Sequence, residues 1–283
     1  MKSFFNLLWR EFIHGGHLQS LSVASITYVS GFLLGIKTDW KILSLAYLIF
    51  YPIYINDRFK WIKLDEATNP ERTKHIKNYL RLGPKIILFS ILLLIILLIN
   101  IGNLKLIALS LSILFLGFLY PLYFKNLTKK IFAFKNFYVA FFFAIVAILP
   151  ALYKSQPLAN VLLASFIFFV FVKTVLMQIL LDCKDVQEDK AIGLLTVPVK
   201  IGREKTIKLL TVINSLTVIL FLFFSMVLIG SFPRQMIILL LVIPFNLFCY
   251  YLAKKQNYYG YILISGEFIL WPLLIMLAKI MLL

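Results

Sequence analysis

Long apolar blocks constrain this chain more than any other feature of its sequence. Stretches such as residues 86–101 and 207–230 approach the roughly 20 residues that a helix needs to cross the core of a lipid bilayer. Inside that core each backbone polar group must bond within its own segment, so these blocks are expected to be helices. With 61% apolar and only 14% charged residues, the sequence predicts an all-α, polytopic integral membrane protein.

We predict nine transmembrane helices in one bundle, with residues 1–283 forming a single domain. The predicted spans are residues 18–36, 40–55, 84–101, 104–124, 136–153, 158–181, 207–230, 234–252 and 261–282. An acidic segment follows the second span and another follows the sixth. This weak repeat favours two four-helix halves plus a ninth helix. Phe4, Leu8 and Phe12 recur at helical spacing, which predicts an interfacial helix before the first span.

The basic residues indicate how the bundle is oriented. Loops on the cytoplasmic side of a membrane protein carry an excess of Lys and Arg. Most of the 29 Lys and Arg residues fall on the side of the N-terminus and of both acidic segments. We therefore expect a cytoplasmic N-terminus and cytoplasmic acidic loops. The net charge of +17 is then explained by orientation and by attraction to anionic membrane lipids, and it requires no nucleic acid.

The second acidic segment carries Asp182, Asp185 and Asp189. If the helix of the sixth span continues through it, spacings of three and four residues place the three carboxylates on one face. Clustered carboxylates repel one another, by roughly 1 kcal/mol per pair at 4 Å even in water. Mg²⁺ suits such a cluster because it takes a few carboxylates and fills its shell with water and phosphate oxygens. A solvated acidic surface at a helix end explains the spacing equally well.

The first acidic segment carries Asn56, Asp57 and Asp65, with Arg72 among several basic residues after it. Asp57 and Asp65 are eight residues apart, about two helical turns, and can point to one side. The basic residues can neutralise a diphosphate, although the orientation signal also accounts for them.

Together the two segments resemble those of the UbiA superfamily of intramembrane prenyltransferases. The family's second motif is matched in register by Asp182, Asp185, Asp189, Gly193, Thr196, Pro198 and Gly202. Its loop with Tyr and Lys, and the Asn after it, are similar to Tyr120, Pro121, Lys125 and Asn136.

The first motif departs from the family pattern, which is Asn-Asp-x-x-Asp-x-x-x-Asp. Lys60 holds the place of the middle acid, and Asp65 and Arg72 each come one residue late. A one-residue slip turns a helical side chain by about 100°. Before the second motif, Met177 and Gln178 stand where the family often has Arg-Glu.

The resemblance implies Mg²⁺-dependent transfer of a prenyl group from a prenyl diphosphate to an aromatic, quinone-precursor-like or other lipid acceptor in the membrane. The implied metal ligands are Asp57, Asp65, Asp182, Asp185 and Asp189, of which Asp57, Asp182 and Asp185 are the implied catalytic residues. The implied substrate-binding residues are Asn56, Arg72, Tyr120, Lys125 and Lys184. A catalytically silent homologue that binds prenyl lipid is the first alternative.

Two ionisable residues lie inside predicted spans, Lys173 in the sixth and Glu267 in the ninth. Charges within a membrane are costly and mark functional sites by default. The two side chains can pair with each other, or Glu267 can meet the acceptor. They also keep a second alternative open, a membrane transporter, although a transporter's site usually lies at mid-membrane rather than beside loops.

Overall fold

The computed structural model describes residues 2–60, 62, 66, 69–228 and 232–281, and every regular element in these residues is helical. We number the main helices α1 Lys2–His14, α2 His17–Leu33, α3 Trp40–Lys60, α4 Pro70–Lys77, α5 Gly83–Ile101, α6 Leu104–Leu119, α7 Phe134–Ile145, α8 Val161–Asp182, α9 Val186–Ala191, α10 Val197–Ile201, α11 Arg203–Leu228, α12 Val242–Lys254, α13 Tyr258–Ser265 and α14 Glu267–Met281. The all-α prediction is confirmed for this part of the chain.

Each of the nine predicted spans contains helix. Among the described residues, six helical stretches are long and apolar enough to cross a membrane, and the bent pair α13 and α14 adds a seventh if it counts as one span. The first two predicted spans correspond to α2 and α3. However, α2 has only 17 residues, and α3 ends in charged residues. The count of nine therefore stays a prediction.

The central helix of the bundle is α2, which packs against α3, α14 and the 3-10 turn Val146–Ile148. Small residues make this close packing possible, because they let helix backbones approach one another. Their hydroxyl groups are buried and bonded to backbone carbonyls. Ser20 donates to Gly16, and Ser22 donates to both Leu18 and Ser265.

Two helices are interrupted where they approach the site. After α6 the chain forms a π-helical turn, Tyr120–Phe124, which contains Pro121 and continues into the helical turn Lys125–Leu127. Such turns re-aim side chains and occur often at functional sites. The second interruption is at Gly266, where the axis bends by 58° between α13 and α14. A Cβ at Gly266 would lie 3.1 Å from Leu18 Cδ1, so a larger residue there would require the Leu18 side chain to shift by a few tenths of an ångström.

One end of the bundle gathers the segments that the sequence marked as functional. The C-terminal ends of α3 and α8 lie there with the π-helical turn, the start of α7 and the start of α13, because residues from all of them line one cavity. Helix α1 packs beside this end against α2 and α4. A helix is thus present before the first span, and its location at the membrane interface stays a prediction.

Candidate active site

A polar cavity of about 220 Å³ opens at this end of the bundle. Its acidic lining residues are Asp57, Asp182 and Asp185. Its basic lining residues are Arg58, Arg72, Lys125, Lys135 and Lys184. Cations beside carboxylates in one recess can bind a phosphorylated anion, either directly or through a divalent ion.

Asp57 lies in the last turn of α3, because that helix continues past the predicted span through Asn56 and as far as Lys60. Asp57 and Tyr120 line both the polar cavity and a second, apolar chamber. Asn56 is half-buried in the same turn but does not line the polar cavity. The predicted ligand Asp65 lies outside the described residues.

The apolar chamber continues from the polar cavity into the bundle. Its walls are mainly aromatic and come from α3, α6 and α7, with Phe50, Tyr54, Tyr138, Phe142 and Phe143 among them. The ring of Tyr138 is stacked against Tyr120, with the centroids 5.3 Å apart. It also lies 4.9 Å from the ring of Phe142. Aromatic side chains therefore line the chamber where it meets the polar cavity.

The second acidic segment does not extend α8, as its spacing had suggested it could. The helix ends at Asp182, and a turn follows in which the backbone N–H of Asp185 donates to the Asp182 carbonyl at 3.0 Å. A new helix, α9, then carries Asp189. Because of this turn the three carboxylates do not share a helix face. Asp182 and Asp185 line the cavity, whereas Asp189 is buried beside it.

Lys135, in the first turn of α7, lies between Asp182 and Asp189. Its ammonium is 3.0 Å from Asp182 Oδ1 and 2.9 Å from Asp189 Oδ2. Asn136 donates from Nδ2 to the other oxygen of Asp182 at 2.8 Å. The backbone N–H of Lys135 donates to Thr128 Oγ1 at 3.0 Å, so the start of α7 is itself held in place.

Asp185 is in a different environment. It lies beside Lys184, whose ammonium is 3.8 Å from Asp185 Oδ1. Burial raises the pKa of the Asp185 carboxyl above its ordinary value, and the ammonium groups of Lys184 and Lys135 partly offset that rise. Lys184 also donates to the Asn69 side chain, which links this turn to the segment before α4.

Helix α4 brings Arg72 to the cavity. Its other end is held by His75, which is hydrogen-bonded to Glu11 of α1 at 2.6 Å. His14 of α1 also lines the cavity and is buried. Burial, together with the charge of Arg58, lowers the pKa of His14 to about 4. A neutral imidazole therefore faces the cavity at neutral pH.

Most of the implied site residues converge. Asp57, Asp182 and Asp185 line the cavity with Arg72, Tyr120, Lys125 and Lys184. Sequence reasoning missed Lys135, Arg58 and His14. The sequence offers one signal for Lys135 and Arg58, which is that each adjoins a motif residue. The excess of basic residues in cytoplasmic loops also explains both charges.

The intramembrane pair Lys173 and Glu267 does not line this cavity. The two side chains form a salt bridge at 2.9 Å, each almost fully buried. Lys173 is also bonded to Asn214 and Asn246, and Asn246 donates to Glu267 at 2.7 Å. The predicted pairing is present, and it connects four helices of the bundle.

The fit of a divalent metal ion can be judged from the donors. Within the described ranges no group of three or more His, Cys, Asp or Glu side chains is placed to hold a metal. Asp57 and Asp185 nevertheless line the same cavity as several cations. Mg²⁺ is commonly bound by one or two carboxylates, with substrate phosphates and water completing its shell. These residues therefore fit an ion that arrives together with a diphosphate.

The fold and the cavity define a class: an α-helical membrane protein whose charged cavity leads into an aromatic chamber. A model of the UbiA prenyltransferase family matches residues 84–278, and the chain belongs to that family. The match begins after the first acidic segment. No curated protein matches the chain.

Two solved structures share the fold. One, of digeranylgeranylglyceryl phosphate synthase, has 17% sequence identity and a TM-score of 0.57, and the alignment covers 96% of this chain and 97% of that one. The other, an apo UbiA homologue from Aeropyrum pernix K1, has 14% identity and a TM-score of 0.71, with coverage of 93% and 97%. At such low identity the likeness concerns the fold alone.

Proposed function

We propose that the chain transfers a prenyl group from a prenyl diphosphate to an acceptor within the membrane. The proposal rests on one observation: Asp57 and Tyr120 line both the polar cavity and the apolar chamber, so the two adjoin there. A charged cavity of about 220 Å³ that meets an aromatic chamber of about 60 Å³ matches a substrate with a charged diphosphate and, next to it, the first part of an apolar chain. Family membership supports the same reaction class.

The diphosphate binds in the polar cavity. Arg72, Lys125 and Lys184 line it and supply positive charge and hydrogen-bond donors to phosphate oxygens. Asp57 and Asp185 would hold Mg²⁺, which when bound neutralises part of the charge that develops on the leaving diphosphate. Asp182 stays bonded to Lys135 and Asn136 and fixes the end of α8 beside them.

The allylic end of the prenyl chain occupies the apolar chamber, which has a volume of about 60 Å³. When the bond between the allylic carbon and the diphosphate oxygen breaks, the electron pair leaves with the diphosphate and positive charge develops on the carbon. We assign the stabilisation of this cation to the aromatic side chains that line the chamber, because the faces of aromatic rings carry negative potential. The buried walls exclude water, which would otherwise capture the cation.

The acceptor supplies the electron pair for the new bond and loses a proton, which passes to the released diphosphate or to water in the polar cavity. We expect an aromatic, quinone-precursor-like compound or another lipid with a nucleophilic hydroxyl group. The second possibility is included because one structural neighbour is a digeranylgeranylglyceryl phosphate synthase.

A catalytically silent homologue that binds prenyl lipid is the second candidate. Lys60 favours it, because this side chain lies in the last turn of α3, one turn beyond Asp57, where the family pattern has an acid. The transporter alternative loses its support, since Lys173 and Glu267 are bonded to each other and to asparagines of neighbouring helices.

The deciding experiment is turnover by the purified protein in detergent or nanodiscs. Labelled prenyl diphosphates of increasing length are incubated with Mg²⁺ and two panels of acceptors, one of hydroxylated aromatic compounds and one of lipid alcohols. A prenylated product with matching diphosphate release supports the proposal. Binding of the labelled diphosphate without product from any pair would instead support the silent homologue.

A further inference from the structure

Lys135 occupies a position that a metal ion would otherwise be expected to take. Its ammonium is within 3.1 Å of both carboxylate oxygens of Asp189 and 3.0 Å from Asp182. With Asn136 on the remaining oxygen of Asp182, all four oxygens of these two carboxylates are engaged by the protein itself. The position of Lys135 is fixed through its backbone, because the Lys135 N–H donates to Thr128 Oγ1 at the start of α7.

The backbone around Lys135 is also tied to the acidic segment. Leu195, which follows α9, donates from its backbone N–H to the Thr128 carbonyl at 3.0 Å. The carbonyl of the same Leu195 accepts from the Ala133 N–H at 2.8 Å. The segment that begins α7 and the segment that follows α9 thus form one unit, in which the lysine and the two carboxylates face each other.

A cation fixed in this way changes how many divalent ions the site can take. A divalent ion bound by Asp182 or Asp189 would lie next to the Lys135 ammonium and be repelled by it. Asp185, 28% exposed, and Asp57 are the remaining acidic side chains of the cavity among the described residues. The first acidic segment also has a cation where the family pattern has an acid, namely Lys60.

We propose that the ammonium of Lys135 takes the place of a divalent cation at the second acidic segment, so that the site binds a single divalent ion through Asp57 and Asp185. The inference rests on the proposed function, because this ion accompanies the diphosphate. It differs from the sequence-based expectation in that Asp182 and Asp189 position Lys135 and do not ligate the metal.

The test counts bound ions without requiring turnover. Mn²⁺ is titrated into the purified full-length protein in the presence of inorganic diphosphate, and bound ion is measured by electron paramagnetic resonance. The parent is expected to bind one Mn²⁺ per chain. Lys135→Gln leaves the carboxylates of Asp182 and Asp189 without their ammonium, and it should bind a second ion.

Two matched variants act as controls. Lys135→Arg keeps the positive charge and should still bind one ion, whereas Lys130→Gln removes an exposed lysine from the same loop and should behave as the parent does. If Lys135→Gln does not fold, the Mn²⁺ affinity of Asp189→Asn in the parent background tests the proposal instead. The proposal expects the Mn²⁺ affinity of Asp189→Asn to stay within about twofold of the parent, whereas loss even of a residue that only orients a metal ligand costs about tenfold or more.

Two ions on the parent, no second ion on Lys135→Gln, or a tenfold loss in Asp189→Asn would each overturn the inference. Two ions on the parent would still be compatible with prenyl transfer. Conversely, one ion on the parent together with no turnover of any prenyl diphosphate would uphold the inference and remove the proposed function.

Discussion

At the residue scale, a substitution of Asp185 distinguishes a metal site from a solvated acidic surface. It faces the cavity from the turn after α8 and is half-buried beside Lys184. Asp185→Asn should lower turnover by at least about a hundredfold, because it removes a charge that acts on the leaving diphosphate. Its melting temperature should stay close to that of the parent.

Steady-state rates and thermal melts of the same preparations check this prediction. Glu204→Gln is a suitable control, since this exposed acid lies at the start of α11, away from the cavity. Activity of Asp185→Asn within a few-fold of the parent would mean that this acid is surface only.

His14 supports a prediction about pH. Its folded-state pKa of about 4 lies below the ordinary value of 6.5, so between these values the unfolded chain binds more protons than the folded one. Stability is therefore complete above pH 6.5 and falls as the pH is lowered towards 4. From pH 7 to pH 5 the loss should be about 2 kcal/mol.

His14→Gln should remove this part of the pH dependence. The measurement is the difference in unfolding free energy between pH 7 and pH 5 for parent and variant in the same detergent. Glu11, whose pKa is lowered by hydrogen bonds from His17 and His75 that outweigh its burial, titrates below this window. Equal pH dependence in parent and variant would contradict the prediction.

Individual motif residues could be found from the sequence, but the contacts between them could not. Asp57, Asp182 and Asp185 were identified by type and spacing, and the structure brings them to one cavity. Lys135 was not identified, because its partners Asp182 and Asp189 lie 47 and 54 positions along the chain and meet it only through folding. A lysine beside a span carries the orientation signal whether or not it also has a partner.

At the element scale, the Lys173–Glu267 network is the feature that joins α8, α11, α12 and α14. Removing one member of a buried ion pair leaves an uncompensated charge. Lys173→Met should therefore destabilise the protein by about 3–5 kcal/mol.

Thermal melts in detergent test this prediction. The double variant Lys173→Met with Glu267→Gln carries neither charge and should regain most of the lost stability. If Lys173→Met alone melts with the parent, the pair does not hold the four helices together.

Helix positions were largely predictable, whereas the position of the 58° bend between α13 and α14 was not. Apolar length marks where helices run, and each predicted span contains helix. The 58° bend does not lie at a proline, because α14 continues through Pro272, the proline of the last span. The bend lies at Gly266, where a Cβ would lie 3.1 Å from the Leu18 side chain, and that approach is set by packing of α2.

At the scale of the whole molecule, sidedness remains a prediction from the distribution of basic residues. Both acidic segments lie at one end of the bundle, so one labelling experiment tests them together. Cysteines introduced at exposed Asn78 and Lys205 should react from the cytoplasmic side, and one at Ser155 from the far side.

Background labelling should be low in this experiment, because Cys183 and Cys249 are both buried. Membrane-impermeant thiol reagents applied to intact and inverted vesicles give the two readings. Reaction of the Asn78 or Lys205 variant from the far side would reverse the orientation and move the cavity to the other face of the membrane.

The central claim is that one substrate spans the charged cavity and the aromatic chamber. A prenyl diphosphate with a photoreactive group on its chain, irradiated in the presence of Mg²⁺ and mapped by mass spectrometry, tests it most directly. We predict crosslinks to residues 50–54 or 138–143, which wall the chamber, and their loss when excess inorganic diphosphate is added. Crosslinks confined to the outer groove of Phe168 and Phe224, or labelling that diphosphate does not block, would contradict it.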